Sequence, residues 1–226
     1  MDIDIITCLP DIFTSFFSNS IIKNAQKKNI VNIAIHNLRN YTTNKHKKTD
    51  DYAYGGYPGL VMTIQPIYDC IMSLKSKKNY DDIIYLCPDG EILTQNIVND
   101  LSCKKNLILL CGHYKGIDER IRENIITREI SIGEYVLSGG EIPACVLTDA
   151  IVRLIPGVLN NVCSALEDSF QNSLIAPPIY SRPENFNNMY VPKILLSGNK
   201  KKIDEWLFKQ AQERTKKFKK INKNKK

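Results

Sequence analysis

Four apolar runs of strand length punctuate the first half of the chain: Ile3 to Leu9, Val31 to Ile35, Asp82 to Cys87 and Asn106 to Cys111. Their centres, such as IIYLC and LILLC, are unbroken rather than alternating, as expected of strands buried on both faces of a parallel sheet. Between them lie stretches with helical spacing of apolar residues, clearest in Pro66 to Leu74 and Gln95 to Leu101. Strands alternating with helices predict an α/β body, a parallel sheet with helices on both faces.

Two breaks interrupt this pattern. From Arg39 to Gly59 the segment RNYTTNKHKKTDDYAYGGYPG is polar, basic and closed by turn residues, which predicts a long functional or flexible loop. After Pro156 and Gly157, VLNNVCSALEDSFQNSLIAPP has little periodicity and ends in a proline pair. The expected organisation is therefore a main domain over 1–160, a linker over 161–173 and a small helical domain over 174–226. In that last part Ser197 or Asn199 can cap a helix in which Ile203, Trp206, Leu207 and Gln210 share a face, and a Lys/Asn-rich tail follows Thr215.

Charge sharpens the division. The net +7 is uneven: from Lys193 onward 13 basic residues face three acids, whereas the preceding 192 residues hold 18 basic and 21 acidic groups. A near-neutral body with a strongly basic end implies an enzyme-like core joined to a part that meets a polyanion, although a merely solvated Lys-rich tail has the same composition. The seven cysteines stand singly with no CxxC pair, as buried thiols do in a reducing cytosol. The opening MDIDIITCLP carries acids where a signal peptide needs a basic flank, and no apolar run approaches the ~18 residues of a membrane span. A soluble cytoplasmic protein without a membrane partner is expected.

Common catalytic signatures are missing. Gly112 and Gly116 lack the spacing and the Lys-Ser ending of a phosphate-binding loop, and there is no GxGxxG, GxSxG or HExxH. His36, His46 and His113 are isolated in sequence. What stands out is glycine and polar residues placed directly after apolar strands, in YLCPDG (85–90), CGHYKGIDER (111–120) and SIGEYVLSGGE (131–141). In an open parallel sheet ligands bind beyond the carboxyl ends of the strands, so three such loops can converge on one pocket whose glycines let backbone approach a ligand closely. Three ordinary tight turns would read the same way.

These loops, with DDYAYGGYPG, RLIPG, LEDSF, PPIYSRPE, VPKILLSGN and QERT in the same order, closely resemble the bacterial tRNA (guanine-N1)-methyltransferase family, the TrmD type of the SPOUT class. The resemblance covers the chain to about residue 215. It implies a SPOUT-type trefoil-knotted sheet, an obligate homodimer with an active site shared between subunits, and S-adenosyl-L-methionine as methyl donor for N1 of guanosine 37 in tRNA. The donor-binding residues it implies are Tyr85, Leu86, Pro88, Gly112, Ile132, Gly133, Glu134, Tyr135, Val136, Leu137, Gly139, Gly140 and Pro143. Asp168 in LEDSF matches the family's general base, and Arg153 in VRLIPG its arginine at the guanine O6. Lys115 departs from the pattern: the family usually has a glutamate there, associated with the donor's amino end and with Mg²⁺, so the reversed charge puts the metal in doubt. Two alternatives stay open, a SPOUT methyltransferase with another RNA target and a non-catalytic RNA-binding relative.

Overall fold

A computed structural model describes residues 1–159 and 168–223. The chain divides into two compact units, Met1–Asn160 and Asn161–Lys226. The first unit begins with β1 (Asp2–Thr7), α1 (Ile12–Phe17), α2 (Ser20–Lys27) and β2 (Asn32–Asn37). It continues through β3 (Asp50–Tyr52), β4 (Leu60–Met62), α3 (Ile64–Lys75), β5 (Asp82–Ile92), α4 (Gln95–Ser102), β6 (Asn106–Cys111), α5 (Glu119–Asn124), β7 (Arg128–Ser131) and α6 (Glu141–Val152).

The four expected strands form, with β7, one parallel sheet in the order β2-β1-β6-β5-β7. Both faces are dry. Ile3, Ile5, Ile84, Leu107 and Leu109 pack with Phe13, Ala25, Val98, Leu147 and Ile151 of α1, α2, α4 and α6 on one side. Ile6, Ile83, Tyr85, Ile108 and Leu110 pack with Ile67, Ile71, Leu74 and Ile121 of α3 and α5 on the other. Each fully buried Leu or Ile contributes on the order of 1.5–3 kcal/mol, so these two layers fix the strand order.

β7 has no apolar run of its own. Its sequence REIS is held by β5, whose ladder jumps from Leu86↔Ile130 to Glu91↔Ile130. The shift leaves Cys87 to Gly90 outside the regular pairing, a bulge at the carboxyl edge of the sheet. The Arg39–Gly59 stretch is also more ordered than its polarity predicts. β3 pairs antiparallel with β4, Tyr52 opposite Leu60 and Asp50 opposite Met62, and Met62 is buried against Ile117. Three-residue strands with two acids carry no alternation to read, and the pairing depends on a distant loop.

The second unit holds a hairpin, β8 (Asn185–Phe186) and β9 (Met189–Tyr190), turned by left-handed Asn187 and Asn188, then the long helix α7 (Lys200–Lys223). It is thus helical with a small β element. Asn199 is the cap, its Oδ1 accepting from Lys202 N at 3.2 Å. The expected face of Ile203, Trp206, Leu207 and Gln210 is half-buried and continues through buried Ala211 and Thr215.

The tail expected after Thr215 is, as far as residue 223, the end of α7. Phe218 continues the stripe and packs edge-on against Phe170 at 5.5 Å, and Thr215 Oγ1 accepts from Ile175 N at 2.9 Å. Low-complexity composition concealed a helix because one aromatic anchor suffices to dock the last turns. The expected linker over 161–173 falls largely on 160–167, outside the described residues.

Candidate functional site

Beyond the carboxyl ends of β5, β6 and β7 lies a pocket of about 370 Å³, in the size range of small-molecule sites. Three segments build it: the bulge within β5, the loop 112–117 after β6, and the loop 132–140 that joins β7 to α6. The last segment leaves the sheet edge and returns across it. Gly140 N donates to Gly112 O at 2.8 Å, and Gly139 bridges His113.

The glycines of SGGE serve chain crossing. A Cβ on Gly140 would lie 2.8 Å from both Cys111 Cα and Gly112 N, and one on Gly112 would meet the Tyr85 ring at 2.9 Å. Gly90 is pressed on the Glu129 backbone in the same way, at 2.6 Å. Glu141, the first residue of α6, is buried and accepts from Thr7 Oγ1 at 2.8 Å, tying the end of this crossing to β1. A carboxylate at a helix N-terminus is favoured by the helix dipole.

The pocket gathers Tyr85, Leu86, Pro88, Gly112, Ile132, Gly133, Tyr135, Val136, Leu137, Gly139, Gly140 and Pro143 along its wall. Glu134, expected with them, is exposed and does not line it. Leu86, Pro88, Ile130, Ile132, Leu137 and Pro143 give one apolar side suited to a flat heterocycle, whereas Asp89, Lys115, Glu119 and Arg122 supply charges of both signs.

Apart from Lys115, the charged part carried no signal in the sequence. Arg122 grips Glu129 through Nε and Nη2, both at 2.6 Å, and Asp89 Oδ2 at 2.6 Å, with its guanidinium 5.7 Å from the Tyr85 ring centre. The hydrogen bond from Arg122 keeps Asp89 below the usual carboxylate range. Burial pushes the Tyr85 hydroxyl up to about 12, and burial with Asp89 alongside does the same to the Cys87 thiol. Neither is a ready nucleophile or base at neutral pH. Asp89 and Glu129 lie 33 and 7 positions from Arg122, a spacing with no motif to betray it.

Lys115 lines the pocket, and its stem lies along Gly59, which has φ +100° and would place a Cβ 3.0 Å from Lys115 Cγ. Asp118, the nearest acid in sequence, gives its oxygens to Arg120 at 2.9 and 2.7 Å. Among the described residues no group of three or more His, Cys, Asp or Glu is placed to hold a metal ion. With an ammonium at 115, the donor set does not fit Mg²⁺. Arg153 sits at the C-terminal cap of α6 in the first unit, and Asp168 is half-buried in the second.

Fold and pocket together define a class: a parallel α/β domain with a pocket of small-molecule size at the carboxyl edge of its sheet, built from loops that cross one another. Within that class the profile of tRNA (Guanine-1)-methyltransferase TrmD matches residues 1–222, and the chain belongs to this family of methyltransferases. It is 58% identical over 218 residues to the tRNA (guanine-N(1)-)-methyltransferase of Azobacteroides pseudotrichonymphae, covering 96% of this chain and 98% of that one. It is 56% identical over 216 residues to the protein of the same name from Cytophaga hutchinsonii, covering 96% and 92%. The crystal structure of the tRNA (m1G37) methyltransferase from Aquifex aeolicus superposes with a TM-score of 0.80 at 34% identity, covering 96% of this chain and 92% of that one. No helix among the described residues is long and apolar enough to cross a membrane.

Proposed function

We propose that this protein transfers the methyl group of S-adenosyl-L-methionine to N1 of guanosine 37, beside the anticodon of tRNA. The observation that carries this reading is the three-loop pocket at the sheet's carboxyl edge, in a chain that matches the family over residues 1–222. The donor supplies an electrophilic methyl group. The apolar wall of Leu86, Ile132 and Leu137 would take the adenine, and the charged end near Lys115, Glu119 and Arg122 the amino-acid part.

Guanine N1 carries a proton at neutral pH, and its lone pair becomes available only as that proton leaves, so a general base is required. In this reading Asp168 accepts the N1 proton, and Arg153 offsets the negative charge that then develops on O6. Placing the base in the second unit suits a homodimer in which each Asp168 serves the pocket of the other subunit. Leu9 just before α1, Ile12 and Phe16 on α1, and Ile142 and Val146 on α6 are exposed apolar residues on neighbouring elements, suited to being covered by a second copy. The trefoil threading implied by the family would lie where 132–140 crosses the loop after β6. The domain of 174–226 would hold tRNA through the lysines of α7, and the protein would work in the cytoplasm.

Lys115, an ammonium, offers Mg²⁺ no ligand. The decisive experiment incubates purified protein, methyl donor and an unmodified tRNA transcript with G37, followed by mass analysis of nucleosides. N1-methylguanosine at position 37 is the expected product. Methylation elsewhere would favour another RNA target, and donor binding without product a non-catalytic relative.

A further inference from the structure

The strongest feature outside the pocket is the tip of the β3–β4 hairpin. Tyr52, Tyr54 and Tyr57 lie within six residues and are 80%, 100% and 72% exposed. A tyrosine ring left in water forgoes the burial that ordinarily holds an aromatic side chain, and three together form a surface that stacks on other flat groups. The turn that carries them is built for display. Gly55 and Gly56 adopt φ +81° and +72°, and a Cβ on either would touch nothing within 4 Å. Glycine is used there for backbone direction, not for packing.

The tip is tied to the pocket rather than hanging from it. Lys115 N donates to Leu60 O at 3.0 Å, Met62 N to Gly116 O at 2.9 Å and Asp118 N to Met62 O at 3.1 Å, so β4 extends the pocket's own loop. Gly59 rests on the Lys115 stem, and Asp50 of β3 faces the Tyr114 hydroxyl at the pocket wall. The preceding loop adds Arg39, Lys45, Lys47 and Lys48 against the acids Asp50 and Asp51, and Arg39 Nη1 bonds Lys47 O at 3.1 Å. Aromatic faces beside excess positive charge are the elements of a surface for unpaired nucleotides.

We propose that Tyr52, Tyr54 and Tyr57 form a stacking platform for the unpaired bases that flank the target guanine, positioning the RNA strand over the donor pocket. This inference rests on the tRNA methyl-transfer reading. The contact uses ring faces, so it is tolerant of base identity and independent of the phenolic oxygens. It adds to tRNA affinity without touching the donor.

The test compares wild type, the triple variant Tyr52→Ala/Tyr54→Ala/Tyr57→Ala and the triple Tyr→Phe variant. The measurements are tRNA affinity at several salt concentrations, donor affinity by calorimetry, and methylation of transcripts whose flanking bases have been replaced by abasic sites. The alanine variant is expected to bind tRNA about tenfold or more weakly, with unchanged donor affinity and an unchanged salt slope, because no phosphate contact is lost. The phenylalanine variant should bind as wild type does. Abasic flanks should weaken the wild-type protein but leave the alanine variant where it was. Unchanged tRNA affinity in the alanine variant overturns the proposal. So does a loss that phenylalanine does not restore, a parallel loss of donor affinity, or dissociation of the protein into monomers. If the wild-type protein methylates no tRNA, the function reading has failed, and tRNA affinity still tests the platform.

Discussion

At residue scale, the chemistry divides between groups whose environment disables them and groups left to act. Cys87 and Tyr85 border the pocket, but burial holds both near 12, so neither exchanges a proton at neutral pH. Asp168 is the proposed base. Asp168→Ala is expected to lower single-turnover methylation by about 10²-fold or more with donor affinity intact, the usual cost of removing a general base. Arg153→Ala should cost on the order of 10²-fold through lost charge stabilisation. Wild-type rates in either variant would reassign that residue to structure.

Lys115 leads to a different expectation. An ammonium repels a divalent ion where a carboxylate would attract it. Lys115→Glu should therefore show a steeper Mg²⁺ response in methylation than the natural protein, with RNA folding monitored separately. Equal responses would show that position 115 does not govern the metal.

At the scale of elements, the loop 132–140 and its landing on the loop after β6 decide whether a pocket exists. Gly140→Ala forces a Cβ to within 2.8 Å of two backbone atoms that cannot yield without moving β6. The expected cost is about 1–3 kcal/mol of stability, read as a lower Tm, together with weakened donor binding in calorimetry. Retention of both would mean that the crossing is looser than its geometry. The motif SGGE was legible as glycine-rich, and its glycines line the pocket as that reading expected, but the pattern did not show that they also admit one chain segment against another. That distinction depends on which backbone lies across the loop.

The end of α7 is a second element with its own expectation. Removing residues 216–226 takes away Phe218 and its contact with Phe170 as well as seven lysines. tRNA binding should weaken and its salt slope flatten, since each lost phosphate contact removes released counterions. Helicity should fall by more than the deleted residues alone account for, as measured by circular dichroism. Equal salt slopes in full-length and truncated proteins would mark these lysines as solvated only.

At the scale of the whole molecule, the sheet carries one polar knot inside its second core. Asp4 on β1 is 5% exposed and accepts from Tyr80 Oη at 2.8 Å and Lys78 Nζ at 2.9 Å, with His36 Nε2 at 2.7 Å. Burial alone would raise this carboxyl, but the bonds from His36, Lys78 and Tyr80 and the Lys78 charge overcome it and hold Asp4 at about 2. A depressed folded-state pKa stabilises the protein above the unfolded carboxyl value and loses that effect as pH falls through the folded one. The contribution, about 2 kcal/mol, should thus be present above roughly pH 4 and disappear toward pH 2. Asp4→Asn should lower Tm at pH 7 and flatten the acid side of a Tm-versus-pH curve. An identical acid limb in both proteins would place the sensitive group elsewhere.

What the sequence determined by itself is the part of the protein that local pattern encodes. Unbroken runs such as LILLC specify buried parallel strands because no exposed face tolerates them, and the helical spacing of 66–74 and 95–101 places α3 and α4. The ordered set of motifs was enough to identify the family. Only the tertiary structure decided β7, whose REIS is a strand through its pairing with β5, and β3, which pairs because Met62 is buried beneath the pocket loop. It alone brought Arg122, Glu129 and Asp89 together and set the Lys115 stem on Gly59. Such features rest on contacts between residues far apart in the chain, and their energy comes from burial and pairing that no local window contains.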